Sequence, residues 1–160
     1  MSEEIKVRIS DYKLATYPDT LITIALGSCV GIAIYDPITK VGGLSHVMLP
    51  DSTMFKPPYK VEKFADLALP QMVEEIRKQT KHHQLVAKIA GGANMFQFTS
   101  QGEGESIGER NIKAVIASLN EMKIPLLGQN TGGNIGRTMI VDLGKFEVKV
   151  RNANRDISIL

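Results

Sequence analysis

Only one cysteine, Cys29, stands in the 160-residue chain. No intramolecular disulfide can form, so a reducing compartment is the expected setting. An excess of either charge is also lacking. Nineteen Lys and Arg against seventeen Asp and Glu leave a formal +2, a balance too close to point to nucleic acid or an anionic membrane as partner. Long apolar runs are missing as well. No window approaches the roughly 18–20 consecutive apolar residues of a spanning helix, and the opening MSEEIKVRIS has no apolar core of a secretory leader. Neither G-x-x-x-x-G-K-[ST] nor a G-x-G-x-x-G that opens a helix occurs. The glycine-rich stretches GGANMF and TGGNIGR therefore serve positive φ or close backbone packing, or form the rim of a cleft. Together these absences lead to the expectation of a cytoplasmic protein that does not insert into a membrane.

What is present suits a globular protein: 43% of residues are hydrophobic and 22% charged, and a chain of this length can bury a core as one domain, residues 1–160. EIKVRI at 4–9 alternates as a half-buried strand does, and 21–26 and 30–35 read as strands flanking a Gly-Ser-Cys turn. After the Asp36-Pro37 turn, 41–48 reads as a further strand with a glycine pair near its start. Helical spacing runs from 61 to 79, with Pro70 inside it, so a kink or two shorter pieces is expected there. A strand at 84–90 and a helix from Ile107 to Met122 follow. Closing strands are expected at 124–128, 137–142 and 145–150, and the loop at 97–106 is the most flexible-looking part. Many short strands and two main helices without strict alternation predict a mixed α/β fold with α+β character: layered sheets with two outer helices.

Chemistry centres on Cys29. It sits in LGSCVG, where an apolar run gives way to the small residues Gly27 and Ser28. A buried free thiol is often only a small hydrophobe. A thiol on a small-residue turn also leaves backbone N–H groups free to receive an oxyanion. Three histidines could serve it. His82 and His83, in KHHQ, read as a solvated helix end rather than a metal site, because adjacent histidines on a helix diverge. His46 stands in the strand GLSHVM. A turn at Asp36-Pro37 would fold that strand back beside the one after the cysteine, bringing the imidazole toward the sulfur. A satisfied core histidine is the competing reading. Thr23, a β-branched residue on a strand, reads as packing by itself.

The motifs LGSCVGIAIYDP and HVMLPD, followed by KFADLA, AKIAGGANMF, IGERN and NTGGNIGR in that order, resemble the CheD family of chemoreceptor glutamine deamidases. They span about residues 20 to 140. The resemblance implies a reaction: specific glutamines on the cytoplasmic domain of methyl-accepting chemotaxis receptors become glutamates, with release of ammonia. It implies a layered α/β fold similar to that of the cytotoxic necrotizing factor deamidases, and a second partner, the phosphatase CheC. By position it assigns the nucleophile to Cys29, the base to His46, and a third member, six residues ahead of the cysteine, to Thr23. Gly27 and Ser28 are the expected oxyanion neighbours, and no metal or organic cofactor is called for. Asn130 stands where an acidic residue is usual, and Phe64 and Leu67 where tyrosine and threonine are. Met95, Phe96 and Phe98, if they surface together, would make a receptor- or CheC-binding patch. The alternatives are a docking module for the phosphatase or receptor whose thiol does no chemistry, and a cysteine hydrolase acting on another amide.

Overall fold

The computed structural model describes residues 2–95 and 105–160. Most of the loop expected at 97–106, together with Phe96 and Phe98, lies outside them. In chain order the described residues form β1 (Glu4–Lys6), β2 (Asp11–Thr16), β3 (Thr20–Leu26), β4 (Val30–Asp36), β5 (Val41–Val47), α1 (Ala65–Gln79), β6 (Val86–Gly91), α2 (Ile107–Glu121), β7 (Leu126–Thr131), β8 (Arg137–Asp142), β9 (Glu147–Asn152) and β10 (Ile157–Ile159). The strands make two mixed sheets, ordered β1-β3-β8-β9-β10 and β2-β5-β4-β6-β7.

Strand β4 shows how the layers stack. Its residues are buried throughout, and successive side chains must point to opposite faces. Val30, Ile32 and Ile34 join a core with Ala68, Leu69, Met72, Val73 and Ile76 of α1 and Val115 and Leu119 of α2. Ala33 and Tyr35 join the other core, with Leu21 and Leu26 of β3, Met139 and Val141 of β8, and Val148 and Val150 of β9. The order is thus helices, central sheet, outer sheet. Cys29 belongs to the inter-sheet core. In β5, Gly43 admits the helix layer, since a Cβ there would lie 2.8 Å from Met72 Sδ.

The Asp36-Pro37 turn makes a hairpin, with β4 and β5 antiparallel from Val30↔Val47 to Asp36↔Val41. Helix α2 is the crossover between the parallel pair β6 and β7. No helix of the described residues is long and apolar enough to cross a membrane.

Several elements depart from expectation. The strand read at 4–9 is regular only over Glu4–Lys6, with one further bond from Val7 N–H to Ile22 O. The chain then turns through Ser10, at φ 57, and enters the other sheet as β2. Neither β2 nor β10 is announced by the sequence, because both are edge strands with no fully buried residue. The break expected at Pro70 occurs instead at Phe64, which is extended (φ −111, ψ 133) between a 3₁₀ turn at Val61–Lys63 and an unbroken α1. Phe64 stays extended because it bridges Leu49 and buries its ring. Pro70 lies on the exposed side of the helix, where only one turn of hydrogen bonding is disturbed. His82 and His83 lie beyond the helix end, and His83 Nδ1 is 2.7 Å from the buried carboxylate of Asp36. For His83 that pairing replaces the expected solvated helix end, whereas His82 is exposed as expected.

Candidate active site

The site begins with an irregularity in β3. Thr23 pairs with Met139 and Leu26 with Arg137, so two residues of β3, Ile24 and Ala25, oppose one of β8. Ala25 adopts φ 60 to absorb the extra residue. Such a bulge breaks strict alternation: Thr23 and Leu26 are both 0% exposed, whereas Ile24 and Ala25 face out. Thr23 follows Leu21 into the space between the sheets by ordinary alternation, and the bulge returns Leu26 to the same face. Thr23 Oγ1 lies 2.7 Å from Val7 O and 2.7 Å from His46 Nδ1.

Those two contacts settle the imidazole tautomer. Val7 O can only accept, so the single threonine proton goes to it. The hydrogen shared with His46 must then come from Nδ1–H. Nε2 is left as the ring's lone-pair nitrogen, and it is buried without a hydrogen-bond partner among the described residues. His46 is 1% exposed. Burial lowers its pKa from 6.5 to about 4, so the ring is neutral near pH 7.

Cys29 shares this face. In the hairpin, Gly31 lies opposite His46, and Cys29 is the next residue along the same side of the chain, diagonal to the imidazole. Between them Gly31 contributes no side chain; a Cβ there would lie 2.8 Å from Met139 Sδ and 3.4 Å from Thr23 Cγ2. The thiol is 8% exposed. Burial raises its pKa, partly offset by its own backbone N–H. Burial thus disfavours the charged form of both groups, and with it a resting thiolate–imidazolium pair.

The cysteine turn is held by its carbonyls. Ala93 N–H donates to Gly27 O at 2.8 Å and Gly92 N–H to Cys29 O at 2.8 Å, while Asn111 Nδ2 donates to Ser28 O at 2.9 Å. Gly91, at φ 109, permits this approach, since a Cβ would come within 2.3 Å of Cys29 O. Among the described residues, the Ser28 and Cys29 N–H groups bond no other residue. Gly27 lies under Met95, whose Cγ would be 3.3 Å from an added Cβ; Met95 itself is exposed. Behind Gly91, the 130–137 loop is tied down by Arg137. Its buried guanidinium donates to the carbonyls of Asn130, Gly132 and Ile135 and to Asn130 Oδ1. Asn130 thus meets the guanidinium with a neutral oxygen.

A pocket of about 350 Å³ opens beside the site, lined in part by Val7, Arg8, Ile9, Ile24, Ala25 and His46. The bulge forms one wall of it. Sequence reasoning missed Asn111, Arg137 and the Val7 carbonyl. A signal for Asn111 was present: it is a polar residue in the buried stripe Gly108, Asn111, Val115 and Leu119 of α2.

Fold and site together define a layered α/β protein in which a thiol, an imidazole and a hydroxyl gather at one end of the inter-sheet core. Comparison with known proteins places it more narrowly. Residues 48–152 match the CheD family, described as CheD chemotactic sensory transduction. The chain is 48% identical over 157 residues to a protein of Clostridium novyi (strain NT) named probable chemoreceptor glutamine deamidase CheD, covering 97% of this chain and 96% of that protein. A protein of the same name from Clostridium botulinum (strain Hall) is 50% identical over 150 residues, 93% of each chain. This chain belongs to the CheD family.

Proposed function

We propose that the protein is a protein-glutamine deamidase that converts specific glutamines in the cytoplasmic domain of chemotaxis receptors to glutamate, with Cys29 as nucleophile, His46 as general base and acid, and Thr23 as the residue that orients the imidazole. One observation carries the reading: near-half identity, along almost the whole chain, to proteins named for that reaction. The buried Thr23–His46 pair supports the residue roles, because it leaves Nε2 free on the face that carries the only cysteine.

As the glutaminyl side chain enters, His46 Nε2 takes the thiol proton and Sγ attacks the amide carbon. The carbonyl electron pair moves to oxygen, where the Ser28 and Cys29 N–H groups receive it. The imidazolium returns its proton to the amide nitrogen, the C–N bond breaks, and ammonia leaves a thioester. Water then attacks with Nε2 accepting its proton, the C–S bond breaks, and the departing sulfur regains a proton from the imidazolium. Carboxamide and water have become carboxylate and ammonium. A neutral resting pair suits this sequence, since proton transfer accompanies attack rather than preceding it. The enzyme acts in the cytoplasm. The family resemblance adds the phosphatase CheC as a second partner.

The test is incubation with a receptor cytoplasmic fragment, followed by mass spectrometry for the mass gain of Gln-to-Glu conversion at defined positions. Conversion by the native protein and none by Cys29→Ala is expected. An unmodified receptor alongside intact CheC binding would overturn the enzyme reading in favour of a docking module.

A further inference from the structure

The mechanism leaves unexplained why α2 places a polar side chain in its buried stripe. Asn111 is 0% exposed. Its Nδ2 donates to Ser28 O at 2.9 Å and to Met48 O at 2.9 Å, and its Oδ1 is buried with no partner among the described residues. The two carbonyls fix the amide orientation, because only the NH₂ end can face two acceptors. A buried acceptor without a partner is destabilising, so packing alone would favour an apolar residue here. The location of the two bonds supplies a reason. Ser28 O belongs to the peptide whose N–H is that of Cys29, and this peptide is trans, since among the described residues only Tyr17-Pro18 and Pro57-Pro58 are cis. In a trans peptide the C=O and N–H point in opposite directions. Pulling Ser28 O toward α2 therefore turns the Cys29 N–H away from α2. Met48 lies two residues beyond His46 in the chain, just past the end of β5. One side-chain amide thus grips both the nucleophile's turn and the base's strand.

Resting on the deamidase reading, we infer that Asn111 is a positioning residue: its amide aims the Cys29 N–H at the reacting carbonyl oxygen and sets the spacing between the Cys29 turn and the His46 strand. It touches neither substrate nor sulfur. The α2 N-terminus seats it firmly, since a Cβ at Gly108 would lie 2.4 Å from Ala93 O, and Ala93 in turn bonds the Gly27 carbonyl.

The experiment uses Asn111→Leu, which keeps the volume and removes both donors, with Asn111→Ser as a smaller second variant. Circular dichroism checks the fold. Two readouts follow: kcat and KM on the receptor fragment, and the pH dependence of Cys29 alkylation by iodoacetamide, which needs no receptor. In a folded variant kcat is expected to fall roughly 10–100-fold, as for loss of a supporting contact, with KM nearly unchanged. The alkylation profile is expected to move to higher pH, because a thiol that ionises less readily holds less thiolate at neutral pH and labels more slowly there, by about tenfold where the profile moves from pH 8 to pH 9. Folded variants with native kcat and a native alkylation profile overturn the inference. So does failure of both variants to fold, which would make the amide part of the framework. If the native protein leaves receptors unmodified while the variants still displace the alkylation profile, the deamidase reading fails and the positioning of Cys29 stands.

Discussion

At the scale of single residues, the proposed mechanism depends on a hydroxyl that does not meet the substrate. Thr23 donates a hydrogen bond to Val7 O and accepts one from His46 Nδ1–H, so only Nε2 of the ring keeps a free lone pair. Thr23→Val keeps the shape but removes both bonds and leaves Nδ1–H unpartnered in a dry core. On the proposed mechanism kcat is expected to fall roughly 10–100-fold, the usual effect of losing a partner that orients a histidine. Denaturant titration should register a loss of about 1–3 kcal/mol. Thr23→Ser, which retains the oxygen, should recover most of the rate; equal loss in both variants would show that the methyl group, not the hydrogen bond, matters.

Among the elements, the hairpin and the bulge divide the labour. The hairpin was legible because the apolar runs of β4 and β5 are separated by Asp36-Pro37, a turn signal strong enough to set their pairing. The bulge was not, since Ala25 at φ 60 is a conformation that alanine does not advertise. Strand β2 was invisible for a different reason. It is partly exposed along its length, and what makes it a strand is the partner β5 rather than its own pattern. Pro70 does not split the helix in two: a proline near the start of a packed helix costs hydrogen bonding in a chain already anchored by Leu69, Met72 and Val73. That cost is recoverable. Pro70→Ala is expected to stabilise the protein by about 1–3 kcal/mol, read as a higher denaturation midpoint with an unchanged slope; a lower midpoint would mean that the ring packs where the helix needs it.

For the molecule as a whole, the layered class followed from the count and pattern of elements, while the partition of side chains between two cores needed the register. That partition puts His46 in the dry inter-sheet space, with a consequence for stability. Its folded pKa of about 4 lies below the ordinary 6.5, so the unfolded chain binds more protons between those values. Stability therefore rises with pH across that window and is lost as pH falls through it, by up to about 3 kcal/mol. Asp36 is also held below its ordinary value: burial alone would raise it, but hydrogen bonds from His83, Ile38 and Thr39 outweigh that. It adds loss of the same sign only at lower pH. Denaturant titrations from neutral pH down to mildly acidic conditions should show the slope, and His46→Gln should flatten it; an unaltered slope would mean that another group titrates there.

Thr23 comes from the outer sheet and His46 from the central one, while Cys29 sits on the turn that joins the two. The imidazole is therefore aligned only while the two sheets keep their mutual offset. Sliding one past the other by a fraction of a strand spacing unhooks Nδ1 with every helix intact. On the proposed mechanism, turnover is then a gauge of how the sandwich is seated.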